Sequence, residues 1–313
     1  MHMKTDVICI GLTCADVLIR GIDFSSPFIA ETKPAKEVSF HVGGDAANQA
    51  IVLSHMGINT ELVTGLGKDS IGDFCVNTFR GAGVDISKVI YAKAAPSSIN
   101  VVIINADGQR NFINSGMPES VFFTPDFEQI KEAKVVSLGS MMMPPFTTVS
   151  IIEKTVKKAK QEGCIVCADV MFNPESCTLE ELGKEVLSNI DYIFPNEDEA
   201  RQLTGKTDLD EMADIFLRYG IKNVLIKIGK DGCFVKNKDI RKIFPAIAVK
   251  VVDTTGAGDN FAAGFITGLV EGKDLEGCVT LASATAGIAI QHMGANTGVK
   301  SREQVETYLR DTI

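Results

Sequence analysis

Short runs of apolar, mostly β-branched residues alternate with longer stretches of helical periodicity along most of this 313-residue chain. In the short runs consecutive side chains are apolar, which indicates strands that are buried on both faces. The alternation therefore predicts an α/β protein with a mostly parallel central sheet and helices on both faces. A sheet of this kind binds ligands at the carboxyl ends of its strands.

The pattern assigns most of the individual elements. Apolar runs predict strands at residues 7–12, 62–64, 135–138, 165–170, 192–194 and 224–228. Helical periodicity, often closed by a glycine, predicts helices at residues 46–56, 71–80, 149–161, 180–187 and 210–219. A hairpin is expected from residues 233–235 and 240–244, and the β-branched run at residues 249–252 predicts a last strand.

Two segments interrupt the alternation. Residues 24–42 contain two prolines and end in a strand-like run, and residues 98–114 hold two apolar runs around an Asn-Ala-Asp-Gly turn. Together these strands form either a small β-sheet lid outside the main layers or surface excursions without a common function. We expect one domain, residues 1–313, with lid insertions at about 24–42 and 98–114.

Charge and cysteine content exclude several classes of function. The formal net charge is -9, and nucleic acid or an anionic membrane is not expected as a partner because such binding needs surplus lysine and arginine. No apolar run approaches the roughly 20 residues of a membrane span. Eight cysteines without a signal peptide suggest the cytoplasm. Cys164 and Cys167 have CxxC spacing, but no second ligand pair accompanies them, which favours a buried strand.

One segment near the end of the chain combines glycines with a carboxylate. Residues 253–260 read DTTGAGDN and lead into a helical stretch. The amides of Gly256, Ala257 and Gly258 would stand at the helix N-terminus, where backbone amides bind anions. A carboxylate repels a bound phosphate, so Asp259 is explained either as a base that deprotonates an attacking hydroxyl or as a simple helix cap.

Three further polar motifs are expected to meet at the same sheet edge. Asp16 follows the first predicted strand, where it accepts hydrogen bonds from vicinal hydroxyls or is only a turn residue. Residues 43–48 read GGDAAN. Either the glycines let a ligand approach the backbone closely and Asn48 presents its side-chain amide to that ligand, or the segment merely starts a helix. Asn196 and Glu199 share a helix face, so they hold a hydrated Mg²⁺ on nucleotide phosphates or form a capping pair.

In this order and spacing the motifs resemble the ribokinase-like (PfkB-type) carbohydrate kinase family over nearly the whole chain. The GGxxxN element at residues 43–48 is similar to its N-terminal signature, and DTxGAGD at residues 253–259 is similar to its highly specific C-terminal signature. The NxxE element from Asn196 to Glu199 is similar to a third family motif. The resemblance implies a ribokinase-like fold with a small β lid, and transfer of the γ-phosphoryl group of ATP to a sugar hydroxyl.

The resemblance also implies roles for individual residues. Asp259 would be the base, and the anion hole would consist of the amides of Gly256, Ala257 and Gly258. The sugar would be bound by Asp16, Gly43, Gly44, Asn48 and Arg110 of the lid. The nucleotide and its Mg²⁺ would be bound by Asn196, Glu199, Lys227, Gly229 and Gly232, with Glu199 reaching the metal through water. Asp253 and Thr255 match a site for a monovalent cation such as K⁺, and the open lid edges favour a homodimer.

The sequence indicates the type of reaction more clearly than the acceptor molecule. It is a pentose or hexose, or a nucleoside; a non-catalytic sugar- or nucleotide-binding relative is a third interpretation, which the intact Asp259 disfavours. Asp45 replaces the lysine that ribose-specific relatives usually carry after the double glycine, and Lys227 stands where many relatives have threonine. Arg110 resembles an arginine that some ketose or acid-sugar kinases use, or is an exposed hairpin residue. The methionines at positions 141–143 would form an apolar wall beside the acceptor.

Overall fold

The computed structural model describes residues 5–22, 34–104, 110–114, 116–131 and 133–312, without the side chains of Arg110, Phe112 and Asn114. Within these ranges the chain forms a large main sheet, a smaller sheet that we call the lid sheet, and helices on both faces of the main sheet. The tip of the predicted lid hairpin, residues 105–109, and residues 24–33 of the first lid insertion lie outside the described residues.

The main sheet is mostly parallel, as the alternating pattern predicts. Its strands, in spatial order, are β14 (Arg241–Phe244), β13 (Cys233–Lys236), β12 (Asn223–Lys227), β11 (Tyr192–Phe194), β10 (Ile165–Val170), β9 (Val135–Met141), β1 (Val7–Ile10) and β4 (Thr60–Val63). Neighbours from β4 to β12 pair in parallel, whereas β12, β13 and β14 pair antiparallel. The carboxyl ends of the parallel strands therefore lie along one edge, where we expect a ligand.

The lid sheet lies outside the main layers, as expected. Its strands, in spatial order, are β3 (Glu37–Gly43), β2 (Cys14–Arg20), β7 (Ile99–Ile104) and β8 (Arg110–Asn114). β2 pairs in parallel with β7, and the two outer pairs are antiparallel. A two-stranded parallel ladder joins β5 (Gly65–Leu66) to β6 (Ile90–Tyr91).

Helices cover both faces of the main sheet. They are α1 (Asp45–His55), α2 (Ser70–Ala82), α3 (Val149–Gln161), α4 (Leu179–Leu187), α5 (Glu197–Thr204), α6 (Leu209–Arg218), α7 (Ala257–Val270), α8 (Leu275–Ala289) and α9 (Arg302–Thr312). None of the helices within the described ranges is long and apolar enough to cross a membrane.

Strand β1 shows how one sheet supplies two cores. Val7 and Cys9 pack into a cluster formed with α1, α2, α7, α8 and α9, whereas Ile8 and Ile10 pack into a cluster formed with α3, α4, α5 and α6. Successive side chains of a strand point to opposite faces, so an apolar residue at every position is what a doubly covered strand requires. The fold class predicted from the sequence is thus confirmed.

Two predictions about strands are wrong. Residues 249–252 form no strand; the segment crosses the surface, Val251 is exposed, and the amide of Val252 donates to the carbonyl of Ile290 after α8. The run pairs with neither edge strand of the main sheet, β14 or β4, and a β-branched sequence without a partner strand does not form a ladder. Asp16 does not follow β1 as a strand-end residue; it lies inside β2, opposite His41 of β3 and Asn100 of β7.

Candidate active site

The N-terminus of α7 has the geometry expected of an anion site. Gly256 caps the helix with φ of 71°, and a Cβ on it would lie 2.5 Å from the Cβ of Ala295, so only glycine fits there. Among the described residues the amides of Gly256 and Gly258 have no hydrogen-bond acceptor. The amide of Ala257 differs, because it donates to the carbonyl of Thr254 at 3.3 Å. Two of the three amides predicted for the anion hole are therefore free to bind a ligand.

Asp259 lies in the first turn of α7 and is 93 % buried, with a relative exposure of 7 %. Its Oδ2 accepts a hydrogen bond from Nδ2 of Asn48 at 2.7 Å. Asn296 in turn orients Asn48, because Nδ2 of Asn296 donates to Oδ1 of Asn48 at 2.8 Å. Burial, followed by the negative charges of Asp45 and Asp169, raises the pKa of Asp259 well above its usual range. A carboxylate with a raised pKa in a cleft suits a general base.

Asp45 and Asp169 complete what we call the acidic cluster, Asp45, Asp169 and Asp259. Asp45 is the first residue of α1, which Gly44 caps, so it is not the helix cap; its side chain accepts a hydrogen bond from Oγ of Ser140 at the end of β9. Burial, then the charge of Asp169, raises the pKa of Asp45 to about 7. Neighbouring buried carboxylates raise one another's pKa values unless a nearby cation compensates their charge.

That cation is Lys227, the last residue of β12. Its Nζ donates to Oδ1 of Asp169 at 2.8 Å. Oδ2 of Asp169 also accepts a hydrogen bond from Gln49 at 3.4 Å, and Gln49 accepts one from Ser137 at 2.7 Å. Residues from β9, β10, β12 and α1 are thereby joined around one buried ion pair.

Asp16 faces the same region from the lid sheet. Its Oδ1 accepts a hydrogen bond from Nδ2 of Asn100 at 3.2 Å and one from the thiol of Cys14 at 3.4 Å. A Cβ on Gly43 would lie 2.1 Å from Oδ2 of Asp16, so the carboxylate needs a glycine at this position. Burial raises the pKa of Asp16 despite these hydrogen bonds. Asp16 and Asn100 thus present adjacent polar groups, which sugars with vicinal hydroxyls require.

A cavity of about 580 Å³ opens beside the anion site. At the sheet end it is lined by Lys227, Gly229 and Gly232, and further in mainly by small and apolar side chains, among them Ile247, Val249, Val251, Phe261, Ala286 and Ile290. A flat apolar ring system fits such a wall, and a charged tail would point to α7. The segment at residues 249–252, although not a strand, supplies one side of this cavity.

Asn196 and Glu199 form a reciprocal capping box at the start of α5. The amide of Glu199 donates to Oδ1 of Asn196 at 2.8 Å, and the amide of Asn196 donates to Oε2 of Glu199 at 2.6 Å. Burial raises the pKa of Glu199 to about 7 although Lys227 lowers it. No group of three or more acidic, cysteine or histidine side chains within the described residues is placed to hold a bare metal ion. The oxygen-only donors present fit a magnesium ion that keeps its water shell.

Asp253 is already engaged by backbone and side-chain donors. Oδ1 accepts from the amide of Thr255 at 2.9 Å and from its hydroxyl at 2.6 Å, and Oδ2 accepts from the amide of Gly294 at 2.9 Å. These bonds close the loop at residues 253–255 against the segment after α8, just before the anion site.

Of the remaining sugar-site predictions, Gly44 adopts φ of 94° where the chain turns from β3 into α1. The backbone of Arg110 begins β8, and its side chain lies outside the described residues. Met141 and Met142 pack into the cluster around α3 to α6, so they do not form the expected acceptor wall. Sequence reasoning assigned no site role to Asp169, Ser140, Asn100 or Asn296; of these, Asp169 and Ser140 lie near strand ends, which is the one signal that could have found them.

Comparison with known proteins assigns the chain to a family. The model of the pfkB family carbohydrate kinases matches residues 4–302. The chain belongs to the pfkB family. It is 30 % identical to a ribokinase of Haemophilus influenzae over 98 % of this chain and 99 % of the relative. It is also 27 % identical to an ATP-dependent 6-phosphofructokinase of Thermoanaerobacterium thermosaccharolyticum, over 93 % of this chain and 90 % of the relative.

The solved structures give the same assignment. Arabidopsis thaliana ribokinase complexed with ribose and ATP superposes with a TM-score of 0.81 and 29 % identity, covering 98 % of this chain and 99 % of that one. As a pfkB family member the chain is a ribokinase-like sugar kinase, a phosphotransferase with an alcohol group as acceptor. The resemblance stated from the motifs is confirmed.

Proposed function

We propose that this pfkB family member transfers the γ-phosphoryl group of ATP to a hydroxyl of a pentose or hexose, with Asp259 as the catalytic base. The observation that carries the proposal is the placement of Asp259: a buried carboxylate with a raised pKa, held by Asn48 and directly adjoining the free amides of Gly256 and Gly258. A helix cap would need none of these features. The ribokinase complex with ribose and ATP supports the same pair of substrates.

Different residues bind the acceptor, bind ATP and accept the proton. Asp16 and Asn100 bind vicinal hydroxyls of the acceptor, with Gly43 and Gly44 giving access to the backbone. The adenosine part of ATP occupies the apolar cavity, and its phosphates run past Lys227 to the amides of α7. Asp259 takes the proton of the attacking hydroxyl while those amides bind the charge that develops on the transferred group.

Two ions belong to the proposal. A magnesium ion would neutralise phosphate charge when bound, and Glu199 with Asn196 would hold its water shell. Asp253 and Thr255 would lie next to a monovalent cation such as K⁺, which would add positive charge behind the anion site. A homodimer through the lid sheet is also part of the proposal, since exposed Val38 and Ile113 lie on its outer strands.

An ADP-release screen tests this function. Purified protein with MgATP is offered pentoses, hexoses, sugar acids, sugar phosphates and nucleosides, each with and without potassium. We expect the highest kcat/KM for a free pentose or hexose, and phosphorylated sugar as the product by mass spectrometry. A nucleoside as the best acceptor would replace the sugar assignment, and ATP binding without turnover of any acceptor would indicate a non-catalytic ligand-binding protein.

A further inference from the structure

Lys227 places a desolvated positive charge at an unfavourable point of the fold. Its side chain is 16 % exposed, and that of its partner Asp169 is 5 % exposed. A Cβ on Gly258 would lie 2.9 Å from Nζ of Lys227, so the ammonium group lies against the first turn of α7. A helix N-terminus carries partial positive charge and attracts anions, so it does not stabilise the positive charge of a lysine placed there. An anion bound between the ammonium group and the N-terminus of α7 would be attracted by both.

The surrounding charges keep the lysine protonated. Burial opposes its charge, but Asp169, Glu199 and Asp259 outweigh that effect and raise the pKa of Lys227 above its usual range. A lysine in this state does not act as a base. It offers a permanent charge, which is paired with Asp169 in this structure.

The ammonium group of Lys227 lies between Asp169 on one side and a cavity on the other. On one side the carboxylate of Asp169 already has a second hydrogen bond from Gln49. On the other side lies the cavity that we assign to the nucleotide, with Lys227 at its edge next to Gly258 and Ala257. A terminal phosphate on the free amides of α7 would therefore come within reach of Nζ, with the side chain still anchored at the end of β12.

From this geometry we infer that Lys227 is a catalytic residue, whose ammonium group moves from Asp169 to the phosphoryl group in transfer. The inference rests on the proposed kinase function and deepens it. In the step, the acceptor oxygen bonds to the γ-phosphorus and gives its proton to Asp259. The bond from that phosphorus to the bridging oxygen breaks, and its electron pair stays on ADP. Lys227 keeps its proton throughout and stabilises the charge on the transferred group.

The alternative is that Lys227 is only the counter-ion of Asp169, joining β10 to β12. Three variants separate the two roles: Lys227→Met, Asp169→Asn and the double variant. If the lysine only neutralises Asp169, removing that carboxylate as well should rescue the loss. If the lysine acts on the phosphate, the double variant stays slow. Lys160→Met is the matched control, because Lys160 also pairs with a buried aspartate, Asp191, but at the other end of the sheet.

We expect Lys227→Met to lower kcat by about 10²-fold with acceptor KM little changed, as for loss of one preorganised donor. Calorimetric titration with ADP plus aluminium fluoride, which imitates the group in transfer, should show a similar loss of affinity, of the order of 10²-fold, while ADP alone binds within about threefold of wild type. Lys227→Arg should recover part of the activity, and Lys160→Met should leave kcat within about twofold of wild type.

Three results would overturn the inference. The first is a kcat for Lys227→Met within about threefold of wild type. The second is recovery of kcat in the double variant, in which Asp169→Asn is added to Lys227→Met. The third is a loss of affinity in Lys227→Met that is equal for ADP alone and for ADP with aluminium fluoride. The last result would make Lys227 a ground-state nucleotide ligand. Failure of the wild type to phosphorylate any alcohol would refute the proposed function instead, and the aluminium fluoride titration would still report on Lys227.

Discussion

Asp191 precedes β11 at the amino end of the main sheet, and Asp169 lies near the opposite end of the neighbouring strand β10. Asp191 accepts hydrogen bonds from Lys160 at 2.7 Å, from Lys222 at 2.6 Å and from the amide of Val166 at 2.8 Å. Although burial acts in the other direction, these donors together lower its pKa. At this point of the amino end, one carboxylate is thus paired with two ammonium groups.

At the carboxyl end the ratio is reversed. Within the described residues Lys227 forms an ion pair with Asp169 alone, while its charge also acts on Asp45 and Asp259, whose pKa values are raised by burial and by neighbouring negative charges. At the amino end the carboxylate of Asp191 is fully paired, as expected for a purely structural contact. The carboxyl end keeps like charges together at a cost in stability, which is characteristic of functional sites. The following predictions test this contrast.

The largest effect is expected for Asp259→Asn. The variant keeps the shape of the side chain but cannot accept a proton, so kcat should fall by at least about 10³-fold while ATP affinity changes little. The raised pKa of Asp259 means that its ionisation weakens folding as pH rises from the unfolded pKa to the folded one. The variant should therefore have a higher Tm than wild type at pH 8. Turnover near the wild-type rate would disprove the role as base.

Asp45→Asn should change which acceptors are used. At pH 8 the charge of Asp45 adds to those of Asp169 and Asp259 and repels anionic acceptors. We expect the variant to shift the ratio of kcat/KM values for ribose 5-phosphate and ribose about tenfold towards the phosphate, the effect of about one pKa unit of interaction. Because Asp45 raises the pKa of Asp259, the acidic limb of the pH profile should also move to lower pH.

The control for this prediction is Asp239→Asn, a change at an exposed turn residue whose ion pair with Lys238 is itself solvent-exposed. It should alter neither the acceptor ratio nor the pH profile. An unchanged ratio together with an unchanged acidic limb in Asp45→Asn would show that Asp45 does not act electrostatically on the acceptor or the base.

The smallest effect on catalysis is expected for Asp191→Asn. Loss of a nearly buried partner of two partly exposed lysines should lower the free energy of unfolding at pH 7 by about 2 kcal/mol and leave kcat unchanged. The folded pKa of Asp191 is depressed, so its contribution is present above the unfolded pKa and is lost as pH falls through the folded one. Urea titrations at pH 7 and pH 3 should therefore show the difference between variant and wild type shrinking at the lower pH.

The elements of the main sheet could be predicted from local pattern with useful accuracy. Helix α3 and strands β10 and β11 have the bounds that periodicity predicts, because each is an apolar run between clear turn signals. The failures are non-local. Residues 249–252 have strand-forming side chains but no partner strand, and β2 was missed because its polar Asp16 is paired by residues far along the chain.

In the candidate site, too, residues that are contiguous in sequence could be predicted and contacts between distant residues could not. Asp259 and its glycines could be found because the helix N-terminus that defines their chemistry is contiguous in sequence. The partnership of Lys227 with Asp169 could not, since the two residues are 58 positions apart and meet only because β10 and β12 end at one edge of the sheet. Asn48 and Asp259 are 211 positions apart and meet through the packing of α1 on α7.

The unpaired segment at residues 245–252 has a consequence for how this enzyme can change over evolutionary time. It forms one wall of the cavity without contributing to any strand ladder of the described chain. Insertions or side-chain replacements there need not disturb strand register, which a one-residue slip in a ladder would invert. If the base of the phosphoryl donor lies against this wall, as we propose, preference for that base can drift independently of the proposed transfer chemistry at α7.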